Sequence, residues 1–120
     1  MPITSRRILC IDDDEFSHEL LCIHLAGYEV VTVATLAAGL QRAGQERFDL
    51  YLIDVMLPDG SGLDLAAQLR QSDAVTPIIF LTADARPATR EAALQTGAQL
   101  LLTKPLDFAV LKEAVTRLIG

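Results

Sequence analysis

Residues 8–16 read ILCIDDDEF. Four apolar residues, Ile8 to Ile11, run straight into Asp12, Asp13 and Asp14, with Glu15 behind them. A short apolar run without polar interruption reads as a strand buried on both faces, the kind found in parallel sheets covered by helices. The aspartates then stand at the carboxyl end of that strand. Like charges this close repel each other, so something must compensate them.

Working outward, EFSHELLCIHLA at 15–26 sets Phe16, Leu20, Leu21 and Leu25 at helical spacing. Phe16 is expected under that helix, and Gly27 is a natural stop. EVVTVA at 29–34 is a β-branched strand, and 36–46 a helix rich in Ala, Leu and Gln. DLYLIDV at 49–55 is the third strand, followed by MLPDGSG, a turn with Pro and two glycines. Residues 64–72 form a helix, and Pro77 opens the fourth strand, PIIFLTA. A helix over 87–96 ends at Gly97, QLLLT at 99–103 is the fifth strand, and 107–119 the last helix.

Strand and helix thus alternate five times with short links. That pattern predicts an α/β fold: a doubly wound, five-stranded parallel sheet with helices on both faces. Right-handed crossovers leave few topologies, and the expected strand order is 2-1-3-4-5, the flavodoxin-like (βα)5 arrangement. No internal repeat, low-complexity stretch or linker divides the sequence, so residues 1–120 read as one domain.

Composition narrows the function classes. Apolar residues make up 51% of the sequence, which suits a packed globule, and no apolar run approaches the about 20 residues of a membrane span. MPITSRRILC does not read as a signal peptide, because aspartates cut its apolar stretch at once. Cys10 and Cys22 have no disulfide spacing and read as free thiols of a cytoplasmic protein. A formal net charge of −6 argues against nucleic acid or anionic lipid as a direct partner. It suits a divalent cation or a partner with a basic rim.

In such a sheet, functional groups gather beyond the carboxyl ends of the strands, near the switch point between the first and third. Asp12 and Asp13 follow the first strand, Asp54 closes the third, Thr82 the fourth, and Lys104 follows the fifth. The topology therefore predicts that these five share one shallow cleft. Asp14 reads as a helix cap. Converging carboxylates need a counter-charge, and a hard cation with oxygen ligands supplies it. Three aspartates and one lysine sum to −2, the charge that Mg²⁺ cancels. A site neutral with its metal and furnished with donors is prepared for a phosphoryl group, and Asp54 is the natural nucleophile.

These residues resemble the receiver domain of two-component response regulators. The resemblance rests on ILCIDDDEF, DLYLIDVMLPDGSGLDL, FLTA and GAQLLLTKP, and covers essentially the whole sequence. It implies a phosphorelay protein in which Asp54 accepts phosphate from a histidine of a partner kinase or phosphotransfer protein. Asp13 would bind Mg²⁺, with Mn²⁺ as a substitute, directly; Asp12 would act through a water, and Asp54 and the Met56 carbonyl would complete the protein ligands. Thr82 would bond the phosphoryl oxygen and move toward it on activation, Lys104 would pair with the phosphoryl group, and the Lys104–Pro105 bond would be cis. The domain would catalyse its own phosphorylation and dephosphorylation without being a conventional enzyme. It would act on an output domain or protein, with a homodimer through the fourth helix, fifth strand and last helix in prospect. MPITSRRIL reads as a native start, and the end at 118–120 falls where a linker would begin.

The sequence departs from the family in one respect. The family usually carries Tyr or Phe three residues before the lysine, and this sequence has Leu101. Leucine cannot report the switch by ring rotation, so a weaker or different route is expected. Met56 and Asp84, two residues beyond the acceptor and the threonine, would flank the path of the attacking water and tune its rate. His18 and His24 have no ligand partners at useful spacing and read as non-functional.

Three other classes fit the sequence less well. A flavodoxin needs a loop that cradles flavin phosphate, where this sequence sets three aspartates. A haloacid-dehalogenase-type hydrolase needs a separated pair of aspartates, a lid and more length. A phosphorylation-independent receiver-like interaction module is the nearest alternative, but all five site residues are present.

Overall fold

The computed structural model describes residues 5–120. The first four residues of MPITSRRILC, on which the reading of the N-terminus partly rests, lie outside the described residues. Five strands, β1 (Arg7–Ile11), β2 (Glu29–Val33), β3 (Leu50–Asp54), β4 (Ile78–Thr82) and β5 (Leu100–Thr103), alternate with five helices. These are α1 (Glu15–His24), α2 (Leu36–Gln45), α3 (Gly62–Ser72), α4 (Pro87–Gln95) and α5 (Phe108–Ile119). All neighbouring strands pair in parallel in the order β2-β1-β3-β4-β5, as the alternation predicts.

Successive strand residues face opposite sides, so the apolar runs feed two cores. Leu9, Ile11, Ile53, Phe80 and Leu101 pack with Leu65, Leu69 and Ala93 of α3 and α4. Ile8, Cys10, Leu52, Ile79 and Leu81 pack with Leu21 of α1, with Leu25 just past its end, and with Leu111 and Val115 of α5. The LLL of β5 is divided accordingly: Leu101 is buried in the first core, while Leu100 and Leu102 pack against the second. Cys10 is buried and Cys22 exposed, both as free thiols.

Element ends differ from the sequence reading by one or two residues, and hydrogen bonds explain where. α1 closes at His24 rather than at 26, because Leu25 leaves the helical conformation at φ −103°, ψ 32°, the Tyr28 N–H turns back to the Leu25 carbonyl at 3.1 Å, and Gly27 stands between them at φ 101°. α3 starts at Gly62 rather than at 64, because the Ser61 hydroxyl accepts from the Leu63 N–H at 3.1 Å and caps the helix there. MLPDGSG is more than a turn: Met56–Leu57 and Gly60–Ser61 form a small antiparallel ladder. Within it, Asp59 accepts the Leu36 and Ala37 N–H groups at 2.7 and 3.0 Å and so supports the start of α2.

The amino edge of the sheet is tied by Arg7. Its guanidinium donates to Glu29 at 2.8 Å, to Glu46 at 2.6 Å and to the Arg47 carbonyl at 2.9 Å. It also lies 4.7 Å from the Phe48 ring centre, while the Arg7 N–H bonds Asp49 at 2.7 Å. Among the described residues, no helix is long and apolar enough to cross a membrane.

Candidate functional site

The carboxyl edge is built by continuing the ladders beyond the strands. The Asp12 N–H donates to the Val33 carbonyl at 3.0 Å, which carries the β1–β2 pairing one residue past Ile11 and leaves Asp12 fully buried at the sheet edge. Asp12 Oδ1 then accepts the Asp14 N–H at 3.0 Å and turns the chain into α1. Asp14 caps that helix through the N–H groups of Phe16 and Ser17 at 3.0 and 3.4 Å. The Ser17 hydroxyl and these N–H groups hold its carboxyl below the usual range. The cap expected at Asp14 is therefore present, and the acidic triplet divides into two jobs.

β3 presents Asp54 beside it. Asp54 Oδ1 accepts the Met56 N–H at 2.9 Å. From the far edge, the Lys104 N–H bonds the Thr82 carbonyl at 2.7 Å, which extends the β4–β5 ladder. Lys104 Nζ then reaches back across two strands to Asp12 Oδ2 and Asp54 Oδ2, each at 2.8 Å. The Lys104–Pro105 bond is cis, as expected.

Asp12, Asp13 and Asp54 each offer a carboxylate oxygen within 4.8 Å of the others. Asp12 and Asp54 are buried, and Asp13 is exposed at the mouth. One ammonium faces three carboxylates, so the all-oxygen donor set retains a charge that fits a hard divalent cation. Burial raises the pKa of Asp54, and the bonds from Lys104 and the Met56 N–H offset this only in part. For Lys104, burial acts downward, but the bonds to Asp12 and Asp54 outweigh it and raise its pKa.

The fold brings the five predicted residues to one edge, but Thr82 is turned differently from the rest. It is fully buried, and its hydroxyl accepts the Asp84 N–H at 3.0 Å. The Asp54 carboxylate bonds Met56 and Lys104 instead. Met56 stands at the rim, 68% exposed. Asp84 is tightly held: its carboxylate accepts from the Arg86 N–H, Nε and Nη2 and from the Thr89 hydroxyl, at 2.7–3.0 Å. Those bonds, led by the Arg86 side chain, push its pKa far below the usual range.

Phe16 corrects the sequence reading. It is 68% exposed rather than buried, because Leu21 and Leu25 form the centre of the apolar stripe and Phe16 lies at its margin. It lines an open groove with Leu20, Lys104 and Phe108. His24 stacks on Phe108 at 4.3 Å between ring centres and so joins α1 to α5.

Two contributors escaped sequence reasoning. A Cβ at Gly62 would lie 2.0 Å from the Asp54 carbonyl oxygen, so only glycine lets α3 start directly beneath the Asp54 backbone. Its signal was the second glycine of GSG, read only as turn composition. The other is the Arg86–Thr89 hold on Asp84, for which no spacing rule exists.

A parallel sheet with a carboxylate cluster at its switch point and a lysine just past its last strand defines a class of signalling domain. The family model described as the response regulator receiver domain matches residues 8–116. The chain belongs to that family and is a phosphorelay receiver of the two-component type. It is 37% identical over 105 residues to the alkaline phosphatase synthesis transcriptional regulatory protein PhoP of Bacillus subtilis, covering 86% of this chain and 44% of that protein. It is 36% identical over 115 residues to the response regulator protein PilR of Pseudomonas aeruginosa, covering 94% of this chain and 26% of that one. The chain thus spans less than half the length of these relatives. Among solved structures, a CheY-like receiver domain protein of Methanospirillum hungatei superposes with TM-score 0.90 at 30% identity, covering 95% of this chain and 93% of that one. Receiver domains of this family interact with histidine kinases and output domains.

Proposed function

We propose that Asp54 is the phosphoacceptor of this receiver and that residues 1–120 act as one such domain. The observation that carries the reading is the single Lys104 ammonium shared by Asp12 and Asp54 beside the exposed Asp13. An Asp54 carboxylate oxygen attacks the phosphorus of a phosphohistidine on a partner kinase or phosphotransfer protein. The P–O bond forms as the P–N bond breaks, and the imidazole leaves with a proton. Mg²⁺, or Mn²⁺ in its place, supplies charge for the phosphoryl oxygens. Asp13 and Asp54 would hold it with the Met56 carbonyl, and Asp12 through a water.

Lys104 keeps its positive charge on one side of the phosphoryl group, and the Thr82 hydroxyl donates on another. Water attacking in line later restores the carboxylate and releases phosphate. Met56 and Asp84 set the rate of that step. Leu101, buried where the family carries an aromatic ring, makes the outward signal a matter of backbone and packing rather than ring rotation. The face formed by α4, β5 and α5 is the surface for an output domain, a downstream protein or a second copy, and the cytoplasm is the compartment.

The test is phosphorylation with acetyl phosphate and Mg²⁺, read by intact mass, on this chain and its Asp54→Asn variant. Phosphoryl uptake by the parent and none by the variant supports the reading. A parent that takes up no phosphoryl group and binds no beryllofluoride would be a phosphorylation-independent interaction module instead.

A further inference from the structure

The hydroxyl of Thr82 and the carboxylate of Asp84 are joined in one string of hydrogen bonds. Thr82 Oγ1 accepts the Asp84 N–H at 3.0 Å, so the residue is turned back along its own chain rather than toward Asp54. The next link is held harder. Asp84 Oδ1 takes the Arg86 N–H and Nε at 3.0 and 2.9 Å. Asp84 Oδ2 takes Arg86 Nη2 at 2.8 Å and the Thr89 hydroxyl at 2.7 Å. A carboxylate has about four acceptor positions, so Asp84 is saturated and has none left to orient a water. Its side chain is 21% exposed, whereas Arg86 is 80% exposed. The cover over Asp84 is therefore a solvent-facing arginine and a first-turn threonine of α4.

We infer that Arg86 and Thr89 are positioning residues which, by clasping Asp84, brake the turning of Thr82 toward a phosphorylated Asp54. This rests on the reading of Asp54 and Thr82 given above. The reason is geometric. For the Thr82 hydroxyl to follow a phosphoryl group, it must leave the Asp84 N–H or carry residue 84 with it. Three bonds from Arg86, the N-cap residue of α4, and one from Thr89 inside its first turn anchor the Asp84 carboxylate to the start of that helix, so the link between β4 and α4 cannot follow cheaply. A ligand shifts such an equilibrium only by its differential affinity for the two arrangements. The work of opening the clasp is therefore subtracted from the apparent affinity for the phosphoryl group.

The inference predicts the direction of an effect that a merely structural contact would not produce. Thr89→Val removes one hydroxyl bond at nearly constant shape, and Arg86→Gln removes the paired guanidinium. Beryllofluoride binding with Mg²⁺, titrated by calorimetry on the full chain, is expected to tighten roughly 2- to 10-fold in each, the weight of about one net hydrogen bond. Thr89→Ser, which keeps the hydroxyl, is expected to bind as the parent does. Arg117→Gln, which opens an exposed pair with Glu113 on α5, is the control for general loosening and is expected to change nothing. Unchanged or weaker binding in both Thr89→Val and Arg86→Gln overturns the clasp while leaving the reading of Asp54 intact. A parent chain that binds no beryllofluoride overturns both.

Discussion

The two edges of the sheet handle charge in opposite ways. At the amino edge, Arg7 meets Glu29, Glu46, the Arg47 carbonyl and Asp49, and Glu46 is met in turn by Arg42 at 2.6 Å. With Arg6 3.7 Å from Asp49, three arginines and three carboxylates are matched one to one there. At the carboxyl edge, three carboxylates face Lys104 alone, and two of them are buried. A matched edge stabilises the fold as it stands. An unmatched one is less stable than it could be, and on the function proposed above a cation and a phosphoryl group would use that reserve. The strands are the same at both ends, so the charge pattern, and not the architecture, separates structure from function.

The sharpest way to break this comparison is Asp54→Asn. Phosphoryl uptake from acetyl phosphate is expected to vanish, while the melting temperature without Mg²⁺ holds or rises, because one buried carboxylate loses its charge. A marked fall in melting temperature would mean that the carboxyl edge is also built for stability. Next in size is Gly62→Ala. Overpacking against the Asp54 carbonyl is expected to cost about 3 kcal/mol in urea unfolding and to slow phosphoryl uptake, since the backbone of the proposed acceptor must shift. Stability and uptake at parental levels would show that the α3 start has slack.

Arg7→Ala acts on the other edge alone. It is expected to lower the melting temperature by several degrees and leave the phosphorylation rate of the folded protein within about twofold of the parent. A smaller effect belongs to Met56, exposed at the rim. Met56→Ala is expected to change the dephosphorylation rate several-fold without moving the unfolding midpoint, measured by phosphate release after removal of donor.

The smallest effect is in acid. Glu46 has its pKa lowered by the Arg42 and Arg7 bonds, so its contribution is present above its unfolded pKa and is lost as pH falls through the folded one. Asp54 has its pKa raised by burial above the ordinary 3.8, so the stability it contributes is present below that value and lost as pH rises through the folded pKa. The stability gap between Asp54→Asn and the parent should therefore shrink as pH falls toward 3.8, read by urea unfolding across that window. A gap that widens in acid would reverse the sign assigned to the carboxyl edge.

The sheet order and the membership of the cleft were legible because one rule governs both. Uninterrupted apolar runs mark strands buried on two faces, and the residues that follow them must fall at one edge of a parallel sheet. Asp12, Asp54 and Lys104 needed no more than that. What spacing could not give was direction. Helical periodicity put Phe16 on the same stripe as Leu21 and Leu25 but could not say which member was central, and Phe16 proved marginal. Loop dihedrals decide that Thr82 bonds Asp84 and that Arg86 returns to it, and no pattern in FLTADARPAT encodes those angles. The start of α3 was missed for a related reason: the composition of MLPDGSG marks a turn but does not say that its serine is also a cap.

The crowding beneath Asp54 has a practical meaning for anyone who wishes to lengthen or shorten this protein's signal. From Asp54 to the first residue of α3, Asp59 is committed to the start of α2, Ser61 to the start of α3, and Gly62 to clearance. Val55 is buried in the core, Leu57 packs against it, and Gly60 takes φ 154°, a conformation that favours glycine. Met56 and Pro58 remain, both exposed. A variant library aimed at signal duration therefore has two free letters in this segment, and randomising the whole turn would chiefly collect broken folds.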